Sequence, residues 1–349
     1  MTDIKVLVCE DSPTARALLV GMLGSASGLV VIGEAANGIE AVEMTRKLRP
    51  DVITMDIQMP GIDGFEATKR IMAEQPTPIV IVSSLDVTSV HISMQALEAG
   101  ALAVLPKPVG PTSAGYAQAC RYVAATVRSM SQVKLVRRWV DAPPYKGPPA
   151  PVVVSSGGPV AARIIAIAAS TGGPAALRKI FADLPTSFSV PIVFVQHIAL
   201  GFAQGFARWL DELSPIRVKI ANAGELLAPG IAYLAPDDQH LGVSDRSTVV
   251  LSSAAPIGNF RPSGSFLFDS VAKAFGRSAV GVILTGMGTD GVDGLRVLKA
   301  SGGRVIAQDE ASSDIFGMPG ATLAAGLPDS VLPLDAIAGH LQRLAWVAR

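Results

Sequence analysis

Along the first 128 positions, short runs rich in Ile, Val and Leu alternate with longer stretches whose apolar residues recur every three or four positions. The short runs are IKVLVCE from Ile4, VVIGEA from Val30, DVITMD from Asp51, PIVIVSS from Pro78 and AVLPK from Ala103. Between them lie TARALLVGML, GIEAVEMTRKL, FEATKRIMAE and SVHISMQALEAG, which carry the spacing of amphipathic helices. Five strands alternating with helices predict a parallel sheet with right-handed crossovers. A long helix is expected over 113–139, followed by DAPPYKGPPAPVVVSSGGP from Asp141, too dense in Pro and Gly to pack a core and read as an extended linker. Beyond Arg163 the rhythm resumes with RIIAIAAS, PIVFVQH, RVKIA, GIAYLAP, TVVLSS, AVGVILTG and GGRVIAQD. The expected fold class is therefore α/β, with two doubly wound parallel-sheet domains over 1–130 and 161–349 and a linker over 131–160.

Composition narrows this picture. A chain of 349 residues exceeds one ordinary core, and 49% apolar against 17% charged residues suits sheets covered on both faces by helices. Lys plus Arg equals Asp plus Glu at 29 each, so no overall field draws the protein to nucleic acid or to an anionic membrane. The cluster Lys134, Arg137 and Arg138 beside Trp139 reads as a solvated helix end. Cys9 and Cys120 make no disulfide framework and read as inert thiols. The start MTDIKVLVCED runs directly into a strand, and no apolar run approaches the length of a membrane span. A cytoplasmic protein without membrane insertion is expected.

In a doubly wound sheet ligands gather at the carboxyl ends of the strands. Five polar side chains fall there in the first half: Glu10 and Asp11, Asp56, Ser83 and Lys107. Three carboxylates packed together repel, which is tolerable when a hard cation such as Mg²⁺ sits among Glu10, Asp11 and Asp56. Asp56 can then attack a phosphoryl group and form an acyl phosphate, with Ser83 and Lys107 holding the new oxygens. ED at Glu10, MDIQMPGIDG around Asp56, SS at Ser83 and PKP around Lys107 resemble a response-regulator receiver domain. That resemblance implies a flavodoxin-like fold, Asp56 as phospho-acceptor and a histidine kinase of the chemotaxis type as donor. Glu10 stands where the family often has Asp.

The second half raises a sharper question at IIAIAASTGGP, where an apolar run stops on Ser170, Thr171 and two glycines. Three readings fit: a phosphate cradle, a nucleophile on a strand-to-helix turn, or an ordinary helix N-cap. His197 ends PIVFVQH, and Asp290 lies in TGMGTDG after a third strand. A serine needs a base to take its proton, and a carboxylate can orient that base. His240 is the rival base, expected at the surface or rim; Asp293 rivals Asp290 but suits a helix start; Thr171 rivals Ser170. The main-chain N–H near Met287 is a candidate oxyanion donor. The order Ser, His, Asp and the lack of G-x-S-x-G exclude an α/β-hydrolase.

AASTGGP, VQH and LTGMGTDG behind a receiver resemble the CheB family of chemotaxis protein-glutamate methylesterases. The resemblance implies Ser170 as nucleophile, His197 as general base, Asp290 as orienting acid and Met287 as main-chain oxyanion contact. It further implies hydrolysis of glutamate methyl esters, and deamidation of certain glutamines, on the cytoplasmic helices of chemoreceptors, without a cofactor for the hydrolysis. FRPSGSFLF from Phe260 also looks like a family segment. Readings from other classes are a DNA-binding effector, against which the repeated strands and balanced charge speak, and an anion-binding α/β module indifferent to loss of Ser170.

Overall fold

A computed structural model describes residues 3–84, 87–108, 110–113, 115–133 and 161–345. Residues 134–160 of the expected linker, with the Lys134, Arg137, Arg138 cluster, lie outside the described residues. The chain divides into two compact units, Met1–Pro143 and Pro144–Arg349.

In the first unit, strands β1 Ile4–Cys9, β2 Leu29–Ala35, β3 Val52–Asp56, β4 Ile79–Ser83 and β5 Ala103–Pro106 pair in parallel in the order β2-β1-β3-β4-β5. Helices α1 Pro13–Gly24, α2 Gly38–Leu48, α3 Gly64–Glu74, α4 Val87–Glu98 and α5 Tyr116–Met130 connect and cover them. This is the flavodoxin-like order, with its switch point between β1 and β3. The strands β3 and β4 are buried along their whole length, as sheets covered on both faces require. Helix α5 ends at Met130, and positions 134–139 of the expected helix lie outside the described residues. Cys9 is buried and its thiol is pushed up by that burial, in keeping with an inert core residue.

The second unit runs β6 Ile164–Ala169, α6 Gly173–Ala182, β7 Ile192–Gln196, α7 Ala203–Leu213, β8 Arg217–Ile220, β9 Ile231–Leu234, β10 His240–Val243, β11 Val249–Ser252, α8 Gly264–Phe275, β12 Ala279–Ile283, α9 Val292–Ala300, β13 Arg304–Gln308, α10 Met318–Ala324, β14 Ser330–Leu332 and α11 Leu334–Ala345. Seven strands form one parallel sheet in the order β14-β13-β12-β6-β7-β9-β8. The chain leaves β6 for β7 on one side and later returns to β12 on the other, so the switch point lies at the carboxyl end of β6. Ile164, Ala166 and Ala168 of β6 pack with Leu267, Phe268 and Val271 of α8 in the core on one face. One expectation fails here: TVVLSS is not part of the parallel sheet. It forms β11, paired antiparallel with β10 as a separate two-stranded ribbon.

Candidate active site

The hydroxyl, the imidazole and the carboxylate follow three neighbouring strands. Ala169 at the end of β6 faces Gln196 at the end of β7, and the His197 amide donates to the Ala169 carbonyl at 2.9 Å. Ser170 and His197 are thus the next residues on adjacent strands. On the other side, the Ser170 amide donates to the Thr285 carbonyl at 3.0 Å, in the loop that leads from β12 to Asp290. A Cβ on Gly286 would stand 2.6 Å from the Ser170 Cβ, so only glycine lets that loop pass over the serine.

Of the three readings of Ser170, the helix cap is excluded: α6 is capped by Gly172, with φ at 77° and no side-chain capping bond. Nor is its start an open anion site. A carboxylate oxygen of Asp314 lies where a Cβ on Gly172 would collide with it, so negative charge already occupies the helix N-terminus.

His197 directs Nε2 at Asp290 Oδ2, 2.9 Å away. A carboxylate only accepts, so Nε2 carries the proton and Nδ1 is left as the acceptor. Nδ1 is buried and has no hydrogen-bond partner among the described residues. The imidazole stacks on Phe260, with centroids 4.1 Å apart and planes 8° from parallel. This ring edge assignment, Nε2 to the acid and Nδ1 free, is the reverse of that in the chymotrypsin-type triad. Gln196, 3% exposed, donates from Nε2 to the carbonyls of both Ser170 (2.7 Å) and His197 (2.9 Å), where the backbone ladder has ended.

Asp290 is 8% exposed and accepts from four donors. Besides His197 these are Ser263 Oγ at 2.7 Å, the Gly264 amide at 2.6 Å and the Ser265 amide at 3.2 Å, the last two at the N-terminus of α8. Burial pushes its pKa up, but the bonds to His197, Ser263 and Gly264 outweigh burial and hold it at about 2. Asp293, the rival acid, sits in the first turn of α9 and pairs with Arg296 at 2.9 Å, as a helix-start residue would. Met287 is partly exposed beyond Gly286, whose carbonyl is taken by the Gly317 and Met318 amides; the Met287 amide makes no hydrogen bond among the described residues.

His240 is not a rim residue as expected. It is fully buried, its Nε2 lies 3.2 Å from the Ala255 carbonyl, and its Nδ1 accepts from the Ser263 amide at 3.2 Å. The glutamine before the closing histidine of VFVQH and the RPS segment are the available signals for Gln196 and Ser263.

At the switch point of the first unit, Cys9 faces Met55, which brings Glu10 beside Asp56. Ligand oxygens of Glu10, Asp11 and Asp56 lie within 4.8 Å of one another. Lys107 Nζ reaches Glu10 Oε1 at 2.9 Å and Asp56 Oδ2 at 2.8 Å, and the Lys107 amide donates to the Ser83 carbonyl at 2.8 Å. Ser83 is buried at the end of β4, its hydroxyl 3.3 Å from the Ser84 carbonyl. Glu10 Oε2 is buried with no partner among the described residues. Burial raises the pKa of Glu10 and of Asp56, against the pull of Lys107. An orphaned buried oxygen within a knot of three acids fits a hard divalent cation.

Residues 165–341 match the CheB methylesterase family and residues 6–114 match the response regulator receiver domain. Over 348 residues, 99% of this chain and all of the relative, the chain is 56% identical to protein-glutamate methylesterase/protein-glutamine glutaminase 3 of Anaeromyxobacter dehalogenans. It is 51% identical over 341 residues, 97% of this chain and 96% of the relative, to protein-glutamate methylesterase/protein-glutamine glutaminase 4 of Myxococcus xanthus. The crystal structure of the Thermotoga maritima CheB methylesterase catalytic domain aligns with a TM-score of 0.52 at 40% identity, covering 53% of this chain and all of that one. With a receiver domain ahead of a methylesterase domain, and with relatives matched end to end, this chain belongs to the CheB family of methylesterases.

Proposed function

We propose that this protein is a phosphorylation-activated hydrolase that removes methyl groups from glutamate methyl esters, and converts specific glutamines to glutamate, on the cytoplasmic helices of chemoreceptors. The observation that carries the reading is the convergence at one switch point: Ser170 and His197 adjacent in register, with the imidazole held by Asp290 at 2.9 Å and its other nitrogen unpartnered.

Ser170 Oγ attacks the γ-carbonyl carbon of the substrate side chain and passes its proton to His197 Nδ1. The carbonyl oxygen becomes an oxyanion, and the Met287 amide donates to it; one such donor is worth about 10²–10³ in rate. Collapse breaks the bond to methoxide or amide, which takes the proton from His197 and leaves as methanol or ammonia. Water then gives a proton to His197, attacks the acyl carbon, and the serine leaves with that proton restored. Asp290 stays ionised throughout and stabilises the imidazolium.

In the first unit Asp56 accepts a phosphoryl group from a histidine kinase. Glu10, Asp11 and Asp56 would hold Mg²⁺, which supplies charge neutralisation for phosphoryl transfer. Lys107 and Ser83 bind the phosphoryl oxygens by charge and hydrogen bond. Among the described residues no helix is long and apolar enough to cross a membrane.

Methanol release from methylated receptor vesicles tests the reading directly. Wild type releases methanol and does so faster when a phosphodonor and Mg²⁺ are present; Ser170→Ala loses at least about 10³-fold. Equal release by both proteins defeats the serine mechanism.

A further inference from the structure

The segment RPSGSFLF, which the three catalytic groups leave unexplained, enters the site through Ser263. Its hydroxyl accepts from the Ser265 amide at 3.1 Å and the Phe266 amide at 3.4 Å, which makes it the N-cap of α8. An ordinary cap has its hydroxyl proton free to turn to solvent. Ser263 is 0% exposed, and its proton goes to Asp290 Oδ1 at 2.7 Å. Its own amide is fixed as well, donating to His240 Nδ1 at 3.2 Å, while His240 Nε2–H turns to the Ala255 carbonyl at 3.2 Å. The His240 ring is stacked on Phe266, with centroids 4.7 Å apart, so it is locked between the helix it helps to start and the loop before it.

We infer that Ser263 is a positioning residue of the hydrolase, with His240 behind it: the chain His240, Ser263, Asp290, His197 fixes the carboxylate and with it the imidazole edge that leaves Nδ1 free to take the Ser170 proton. Four contacts define the rotation of the Asp290 carboxylate. Oδ2 is shared by His197 Nε2 and the Gly264 amide, whereas Oδ1 is held by Ser263 Oγ and, at 3.2 Å, by the Ser265 amide. Without the hydroxyl, Oδ1 keeps only its longer bond. The plane of the acid, and with it the direction of the imidazole edge, is then weakly set.

The inference rests on the hydrolase reading above, and the test separates the two. Glycine serves as an N-cap nearly as well as serine but has no hydroxyl to donate, whereas threonine keeps both roles. In the full-length protein, Ser263→Gly is expected to lower kcat by about tenfold with KM for methylated receptor unchanged, because only the transition state requires the aligned imidazole. The acid limb of its kcat/KM profile moves to higher pH, since a carboxylate stripped of a donor holds the imidazolium more firmly. The rate at which a fluorophosphonate labels Ser170 falls by the same factor as kcat. Ser263→Thr restores kcat, labelling rate and profile. If Ser263→Gly keeps wild-type kcat and acid limb, or loses activity equally at all pH values and is not rescued by threonine, the hydroxyl is only a helix cap and the inference is overturned. Wild type that fluorophosphonate labels at Ser170, with Ser263→Gly slowing that labelling, but that releases no methanol would instead count against the proposed substrate and leave the positioning role standing.

Discussion

Two buried aspartates at the switch points of two similar sheets carry net pKa shifts of opposite sign. Asp56 is 2% exposed and its pKa is raised; Asp290 is 8% exposed and its pKa is lowered to about 2. Depth does not explain the difference, but the partners do. Asp56 shares the Lys107 ammonium with Glu10, itself fully buried, so two acids divide one ammonium. Asp290 receives four donors, two of them amides at a helix start where the backbone dipole also favours a negative group. The first site is a cluster of charge that calls for a ligand to balance it. The second is complete without one, as the role proposed for Asp290, an acid that stays ionised, requires.

The contrast breaks most visibly if Asp290 loses its charge and nothing happens. Asp290→Asn preserves shape but removes the acceptor that fixes the imidazole tautomer. The expected loss in kcat is about 10⁴, the size seen for the equivalent change in Ser-His-Asp enzymes. Methanol release and fluorophosphonate labelling of Ser170 should fall together. A loss below tenfold would mean that the carboxylate serves folding and not the base.

Much of this arrangement is legible in the sequence, and the exceptions have physical causes. The five strands of the first sheet and the three that carry the second site are nearly continuous apolar runs bounded by turn residues. A sheet buried on both faces needs such runs, and Ile164–Ala169 is buried at every position. Ser170, His197 and Asp290 stand out because each breaks such a run at its carboxyl end, where a sheet of this kind holds its ligands. TVVLSS is short and β-branched, which says strand without saying which partner. Its alternation is the clue to the ribbon: Val249 is buried and Val250 is 40% exposed, the pattern of a pair with one wet face. His240 and Ser263 are harder still. A buried histidine whose ring bridges an amide and a carbonyl leaves no periodic trace, because its value depends on a helix start 23 residues later. Gln196 is similar, since its two carbonyl partners lie beyond the strand end that the pattern defines.

A sharper form of the comparison uses Mg²⁺. For Glu10 and Asp56 the folded pKa lies above the ordinary value, so their contribution favours the fold below the ordinary carboxylate pKa and is lost as pH rises through the raised one. At neutral pH the first unit therefore carries an electrostatic cost that a bound cation relieves. Mg²⁺ at a hundredfold excess over its dissociation constant should stabilise that unit by about 2.7 kcal/mol. The gain should shrink toward about pH 4, where the acids take up protons instead. Urea unfolding of the full-length protein, with and without Mg²⁺ at both pH values, reads this out as a shift confined to the transition of the first unit. A Mg²⁺ effect that is absent at neutral pH, or larger in acid, contradicts the assignment of these oxygens to a cation.

The smallest effect lies on the other side of the comparison and carries the opposite sign. Asp290 has a folded pKa of about 2 against an ordinary value of 3.8, so its ionisation favours the fold above the ordinary value and that favour is lost as pH falls through the folded one. The difference corresponds to about 2 kcal/mol, present in full near pH 5 and gone by about pH 1. Comparing wild type with Asp290→Asn isolates it, because every other carboxylate titrates in both proteins. The stability gap between them, measured by urea unfolding of the second unit, should close steadily over that interval. A gap that stays constant with pH would mean that the four donors hold the side chain by shape alone. The lowered pKa would then have no thermodynamic counterpart, and the contrast with Asp56 would reduce to geometry.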